Sequence, residues 1–320
     1  MSKFYKIFQP KFGADELKAV KEVLASGILT QGPKTEELEK KFAEYVGAPY
    51  AVAVNSCTSA IFLSLLSKNN KMMEVEIPSV TFVSVANAIV NAGLFLKFKD
   101  EIHVGKSYNL GGTNIIDSAH YLIKDCYEPD TLMCFSFYPT KLLGSCEGGM
   151  IALDNEEVYK WLRKARANGM ERKGMFDWDY TVDFPGWKMM MNDIQAAIAL
   201  VRLEKLDKFN HRRQIIRDIY NAAFGLNNQS LHVYPIMVEN REELAAKLKE
   251  NNIGFSLHFK PIHLQPAYQN NPILEPISLV RSEEWGQKSI SIPLHENLTK
   301  PDAKKIIEVV KIYAVFTKAD

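Results

Sequence analysis

Apolar residues recur at helical spacing over residues 15–26 (Leu17, Val20, Val23, Leu24), and Gly27 supplies a stop. A second amphipathic helix is predicted over 35–46, with Leu38, Phe42 and Val46 on its apolar side and Gly47 at its end. The period then changes. Residues 50–54 are a short apolar run, read as a buried strand, and Asn55-Ser56-Cys57-Thr58-Ser59 turns it into an apolar helix ending near Leu66. The alternation continues with strands over 74–78, 94–98 and 114–116, a helix over 81–90, a strand ending at Phe135, and another over 150–153. Residues 156–168 are helical in pattern, and 169–185 are irregular and rich in aromatics and charge. A long helix is predicted over 192–217, with Ile194, Ile198, Val201, Leu203 and Leu206 on one side. Beyond it come strands over 233–238, 254–259 and 289–292, a helix over 241–251 and a loop over 260–268. Thr299 caps a last helix over 301–316, with Pro301 early in it and Asp302 three residues after the cap.

Strands alternating with helices predict an α/β fold with a mostly parallel central sheet covered on both faces. The tail reads as a smaller C-terminal α+β unit. A chain of 320 residues exceeds what one core usually holds, so two domains are expected. The boundary is placed in the long helix, giving a large domain over 1–205 and a small one over 206–320. Ligands of such sheets bind at the carboxyl ends of strands. Residues 56–59, 117–120 and 136–141 all directly follow predicted strands.

Composition narrows the function by exclusion. With 47% hydrophobic and 24% charged residues, the chain has the make-up of an ordinary globular protein. Lys+Arg of 39 against Asp+Glu of 38 leaves a net charge of +1, which gives no argument for nucleic acid or a membrane surface. No apolar run is long enough to span a bilayer and the first residues carry no signal-peptide pattern, so a cytoplasmic location is expected. The four cysteines lack CxxC spacing and read as reduced thiols. His258 and His263 lack carboxylate or cysteine partners at ligand spacing, so no metal is expected.

The candidate chemistry centres on MCFSFYPTKLLGSCEGGM (133–150), which sets Lys141 between two apolar runs. Burying an ammonium costs several kcal/mol unless it is paired or deprotonated, and lysines shifted in this way form Schiff bases. Taken singly, Lys141 also fits a surface loop, Asp117 a helix cap, His120 a half-buried histidine and Phe82 ordinary core. Together they meet the needs of pyridoxal phosphate. A carboxylate keeps the pyridine nitrogen protonated and a lysine forms the imine. A helix start holds the phosphate and an aromatic stacks on the ring.

The same stretches resemble the DegT/DnrJ/EryC1/StrS family of sugar aminotransferases. The matching motifs are GILTQGPKTEELEKKFAEYVGAPYAVAVNSCTSA, EIPSVTFVSVANAI, IIDSAH, FSFYPTKLLGSCEGGM, NDIQAAIALVRLEKLD and IGFSLHFKPIHLQPAY, in family order. The resemblance implies a fold type I PLP-dependent aminotransferase, with pyridoxal 5'-phosphate bonded to Lys141. Asp117 would pair with the pyridinium nitrogen, His120 would lie near the phenolic oxygen and Phe82 would stack on the ring. Cys57, Thr58, Ser59 and Ser136 would hold the phosphate, while Thr30, Tyr138, His258, Phe259 and His263 would face the substrate. Many members form homodimers in which an asparagine reaches the neighbour's phosphate; here Lys188, in GWKMMMND, occupies that position.

The implied reaction is a ping-pong transfer from glutamate, released as 2-oxoglutarate, to a nucleotide-linked keto sugar, with a 4-keto sugar favoured. Three positions depart from the family. The segment between Phe98 and Asn114 lacks a helix and strand, Ile116 stands for the usual glutamate before Asp117, and Met190 stands for a common arginine. Two alternatives share the fold: a PLP-binding regulator or scaffold without turnover, which the short segment favours, and a sugar dehydratase, which would lack the lysine.

Overall fold

A computed structural model describes residues 3–172, 178–269 and 278–317. Residues 173–177 of the irregular aromatic stretch lie outside the described residues. Helices α1 (Ala14–Ser26) and α2 (Pro33–Val46) lead into β1 (Tyr50–Val54), α3 (Cys57–Leu66), β2 (Glu74–Val80), α4 (Ser84–Asn91) and β3 (Phe95–Ile102). A hairpin follows, β4 (Tyr108–Leu110) and β5 (Ile115–Asp117), then β6 (Leu132–Ser136), β7 (Gly149–Leu153) and α5 (Glu156–Ala165). The short strands β8 (Met170–Arg172) and β9 (Tyr180–Val182) pair with each other. After α6 (Asp193–Glu204) and α7 (Leu206–Phe224) come β10 (Tyr234–Met237), α8 (Arg241–Glu250), α9 (Pro266–Gln269), α10 (Val280–Lys288), β11 (Ser289–Ile292) and α11 (Lys300–Tyr313).

The main sheet runs β1-β7-β6-β5-β4. Two backbone hydrogen bonds between Glu76 and Gly111, 2.8 and 3.1 Å long, carry it on to the pair β2-β3. It is mixed rather than mostly parallel. β5-β6 and β2-β3 are parallel, while β1-β7, β6-β7 and β4-β5 are antiparallel. For β4 the cause is local: a parallel crossover needs a dozen or more residues, and the links on either side of it are far shorter. The strand directions follow from these pairings. β1, β2, β5 and β6 end at the same edge at which β4 and β7 begin.

Side chains alternate across the strands. Val52, Val54, Ile115, Cys134 and Ile151 pack on one face with α3, α4 and α5. Ala51, Ala53, Ile116, Met133, Phe135 and Met150 pack on the other with α2 and α6. The interiors of β1, β5, β6 and β7 are therefore apolar on both sides, which is why these segments read as continuous apolar runs. A third core holds Tyr220, Tyr234, Ile236, Ile292 and Val309 of the C-terminal part. That part is not wholly separate, because Ile262, Tyr268 and Leu279 pack into the first face.

Several predicted bounds change. The long helix is broken at Lys205 into α6 and α7, and α7 continues to Phe224. Residues 254–259 form no strand; a single bridge, Ser256 with Ser291, ties them to β11. The polar segment that becomes α10 has its start fixed from a distance. The Asp100 carboxylate accepts the N–H groups of Arg281 at 2.9 Å and Ser282 at 2.7 Å. The capping box of α11 forms as read, with Thr299 and Asp302 bonding each other's backbone N–H at 3.0 and 3.3 Å.

Candidate active site

Two residues after β1, a serine caps the next helix: Ser56 Oγ accepts the Ser59 N–H at 3.1 Å. The first intrahelical bond runs from the Ala60 N–H to the Ser56 carbonyl at 3.0 Å, so the N–H groups of Cys57 and Thr58 precede the ladder. Such a helix start attracts an anion. Gly149, beginning β7, packs directly on this turn. A Cβ there would come within 2.5 Å of the Ser56 carbonyl carbon, so the approach requires glycine.

Ser136 ends β6, and Lys141 follows in a turn closed by its N–H on the Tyr138 carbonyl at 2.9 Å. Asp117 ends β5 and is buried; Oδ1 accepts the Ala119 N–H at 2.9 Å and Oδ2 accepts the Tyr108 hydroxyl at 3.0 Å. Thr81 and Phe82 follow β2. These strand ends surround a cavity of about 460 Å³. His258, Phe259 and His232 enter it from the C-terminal part, and Phe8 from the N-terminal segment.

Electrostatics distinguish Lys141 from the other lysines. Burial lowers its pKa to about 8 against the opposing attraction of Asp117. Burial also raises the Asp117 carboxyl, opposed by the Ala119 N–H, the Tyr108 hydroxyl and Lys141. His120, His232 and His258 gather beside them, with the first two rings 4.6 Å apart. Burial, then the nearby Lys141, pushes His120 and His232 well below the usual range and His258 to about 4. All three are neutral at pH 7. The Gly105 N–H donates to His120 Nδ1 at 3.2 Å, which leaves Nε2 as the protonated nitrogen. Among the described residues no group of three or more His, Cys, Asp or Glu is arranged to hold a metal.

Of the residues singled out from sequence, Cys57, Thr58, Phe82, Asp117, His120, Ser136, Tyr138, Lys141, His258 and Phe259 line this one cavity. Four do not. Ser59 is buried beneath the turn, its hydroxyl donating to Asn55 Oδ1 at 2.6 Å. His263 is buried elsewhere, between Ser79 Oγ at 2.6 Å and Glu283 at 3.3 Å. Thr30 and Lys188 lie outside the cavity and are exposed. The cavity also holds Thr81, His103, Lys106, Tyr108, Glu147 and His232, none of which stood out in the sequence. The pair Gly111-Gly112 was the available hint of a hairpin delivering Tyr108. His232 carries no local signal.

The sequence profile of the DegT/DnrJ/EryC1/StrS aminotransferase family matches residues 10–102 and 119–311, most of the chain. The chain belongs to that family. A relative within reach is the spore coat polysaccharide biosynthesis protein SpsC of Bacillus subtilis (strain 168). It is 31% identical over an alignment 369 positions long, covering 94% of this chain and 95% of that protein. Among solved structures, the aminotransferase TlmJ from Streptoalloteichus hindustanus superposes with a TM-score of 0.84 at 26% identity, covering 97% of this chain and 98% of that one. Helicobacter pylori PseC gives 0.83 at 22% identity, over 97% and 99%, a likeness of fold. The DegT/DnrJ/EryC1/StrS match leaves out residues 103–118, the segment that carries Tyr108 and Asp117.

Proposed function

We propose that the chain is a pyridoxal-phosphate-dependent aminotransferase that passes an amino group from glutamate to a nucleotide-linked keto sugar, with a 4-keto sugar favoured, by a ping-pong sequence in the cytoplasm. The observation that carries this reading is the placement of Lys141 and Asp117 in one cavity beside an uncommitted helix start. Membership of a sugar aminotransferase family supports the reaction class.

The residues present fit the cofactor. The donor set combines an amine with a pKa near 8, a buried carboxylate, the Cys57 and Thr58 N–H groups and an exposed aromatic, Phe82. When bound, pyridoxal phosphate supplies an aldehyde for amine exchange and a ring that takes up electrons. Cys57, Thr58 and the Ser136 hydroxyl hold its phosphate. Phe82 covers the ring. Asp117 would hold a proton at the ring nitrogen, and the His120 Nε2–H would serve the phenolic oxygen. Lys141 Nζ would anchor the cofactor and carry the proton to and from the substrate carbon that bears nitrogen. Tyr138, His258 and Phe259 border the remaining space, which takes the sugar. A homodimer completes the site: exposed Thr30 and Lys188 serve the partner's cavity, with the Lys188 ammonium on its phosphate.

The test is the absorption spectrum of protein loaded with pyridoxal phosphate, before and after glutamate, beside Lys141→Ala. A visible band that glutamate bleaches, and that the variant never forms, is expected. A band indifferent to glutamate would favour the regulator reading, and a colourless wild type would overturn the role of Lys141.

A further inference from the structure

We propose that Tyr108 is a positioning residue that weakens Asp117: its hydroxyl draws charge from Oδ2 and limits how firmly that carboxylate holds a proton on the ring nitrogen. This rests on the cofactor reading above. It goes beyond that reading by assigning a task to the short segment in which the chain departs from its family, since residues 103–118 fall outside the family match.

The antiparallel register sets Tyr108 directly opposite Asp117, so the two side chains rise from the same face of the sheet. The hydroxyl lies 3.0 Å from Oδ2 and 2.8 Å from Thr81 Oγ1. An ionised carboxylate can only accept, so the single Tyr108 hydrogen goes to Asp117, and the Thr81 hydroxyl then donates to the Tyr108 oxygen. The relay runs from Thr81 through Tyr108 to Asp117, and hydrogen bonds in such a chain strengthen one another. The other titratable groups acting on this cluster are Lys141 from the β6-β7 loop, Cys57 from α3 and Cys134 from β6. The His103 ring, which packs 5.8 Å from that of Tyr108, pairs with Glu101 at 3.0 Å. The turn before β4 bears on the site as well, because the Gly105 N–H occupies His120 Nδ1. Gly105 has φ +83° and a Cβ there would meet Ser230 at 2.5 Å, so the turn is built for this close fit.

The experiment titrates the visible band of the bound cofactor against pH in wild type, in Tyr108→Phe and in protein carrying 3-fluorotyrosine at position 108. Removing the donor makes Asp117 a stronger base, the ring nitrogen holds its proton more firmly, and the ring withdraws more charge. The midpoint then falls, by about half a pH unit or more. The fluorinated phenol is a stronger donor of the same shape, so its midpoint rises. Thr81→Val, which removes the donor to Tyr108, lowers the midpoint by less than Tyr108→Phe. A purely structural role would loosen cofactor affinity without ordering the midpoints in this way. Unchanged midpoints would overturn the proposal even if affinity fell. If Tyr108→Phe fails to fold, the fluorinated protein decides alone. A wild type that shows no visible band would overturn the cofactor reading, and this proposal with it.

Discussion

Lys141 differs from the other lysines because burial holds its pKa near 8. Only the neutral amine can attack an aldehyde, so the sign is fixed: the rate of pyridoxal phosphate capture rises with pH and levels off above about 8. Well below that value it falls about tenfold per pH unit, because the neutral fraction does. Stopped-flow growth of the visible band from pH 6 to 9 measures this. His258 adds no titration in this range, since burial holds it at about 4. The strand-turn residues of this site were legible in sequence because each belongs to a local pattern: an apolar run, then small or polar residues, then chemistry. Tyr108 and His232 were not. Tyr108 reaches Asp117 through strand pairing, hinted at only by Gly111-Gly112, and His232 arrives from a segment far along the chain with no such neighbour to announce it.

Among elements, one pair of motifs is joined by a single carboxylate. Asp193 in the first turn of α6 accepts the N–H groups of Gly32 at 2.9 Å, Lys34 at 3.0 Å and Thr35 at 3.0 Å, and the Thr35 hydroxyl at 2.7 Å. The start of α2 is thereby capped from 160 residues away, which no local capping rule could reveal. Another junction is buried. Glu39 of α2 accepts from the Arg166 guanidinium at the end of α5 and, at 2.8 Å, from the Ala53 N–H of β1, while Arg166 also donates to the Ala53 carbonyl. Breaking such a pair strands a buried charge. Glu39→Gln is expected to cost about 3–5 kcal/mol in urea unfolding, and Glu39→Leu with Arg166→Met less than that single change. Equal losses would mean that packing, rather than the stranded charge, sets the cost. The antiparallel β4 shows the limit of pattern reading at this scale. Alternation between apolar strands and helices identified the class, but the short connections around β4 decided its direction.

At the scale of the whole molecule the proposed dimer makes the sharpest demand. One protomer brings Lys141, Asp117 and the helix start together but leaves Lys188 exposed and outside the cavity. If that ammonium completes the partner's phosphate site, Lys188→Glu places a negative charge against the phosphate and removes activity although its own Lys141 is intact. Lys141→Ala removes activity for the opposite reason. Unfolding and refolding the two dead variants together at equal amounts forms mixed dimers, each with one site carrying both defects and one carrying neither. Random assortment makes half of the dimers mixed, so about a quarter of wild-type activity returns. Two sites each built from a single chain would recover nothing, because every site would retain its own defect. Full activity in Lys188→Glu alone would remove Lys188 from the site. The quarter recovery separates these outcomes because it counts the shared sites directly.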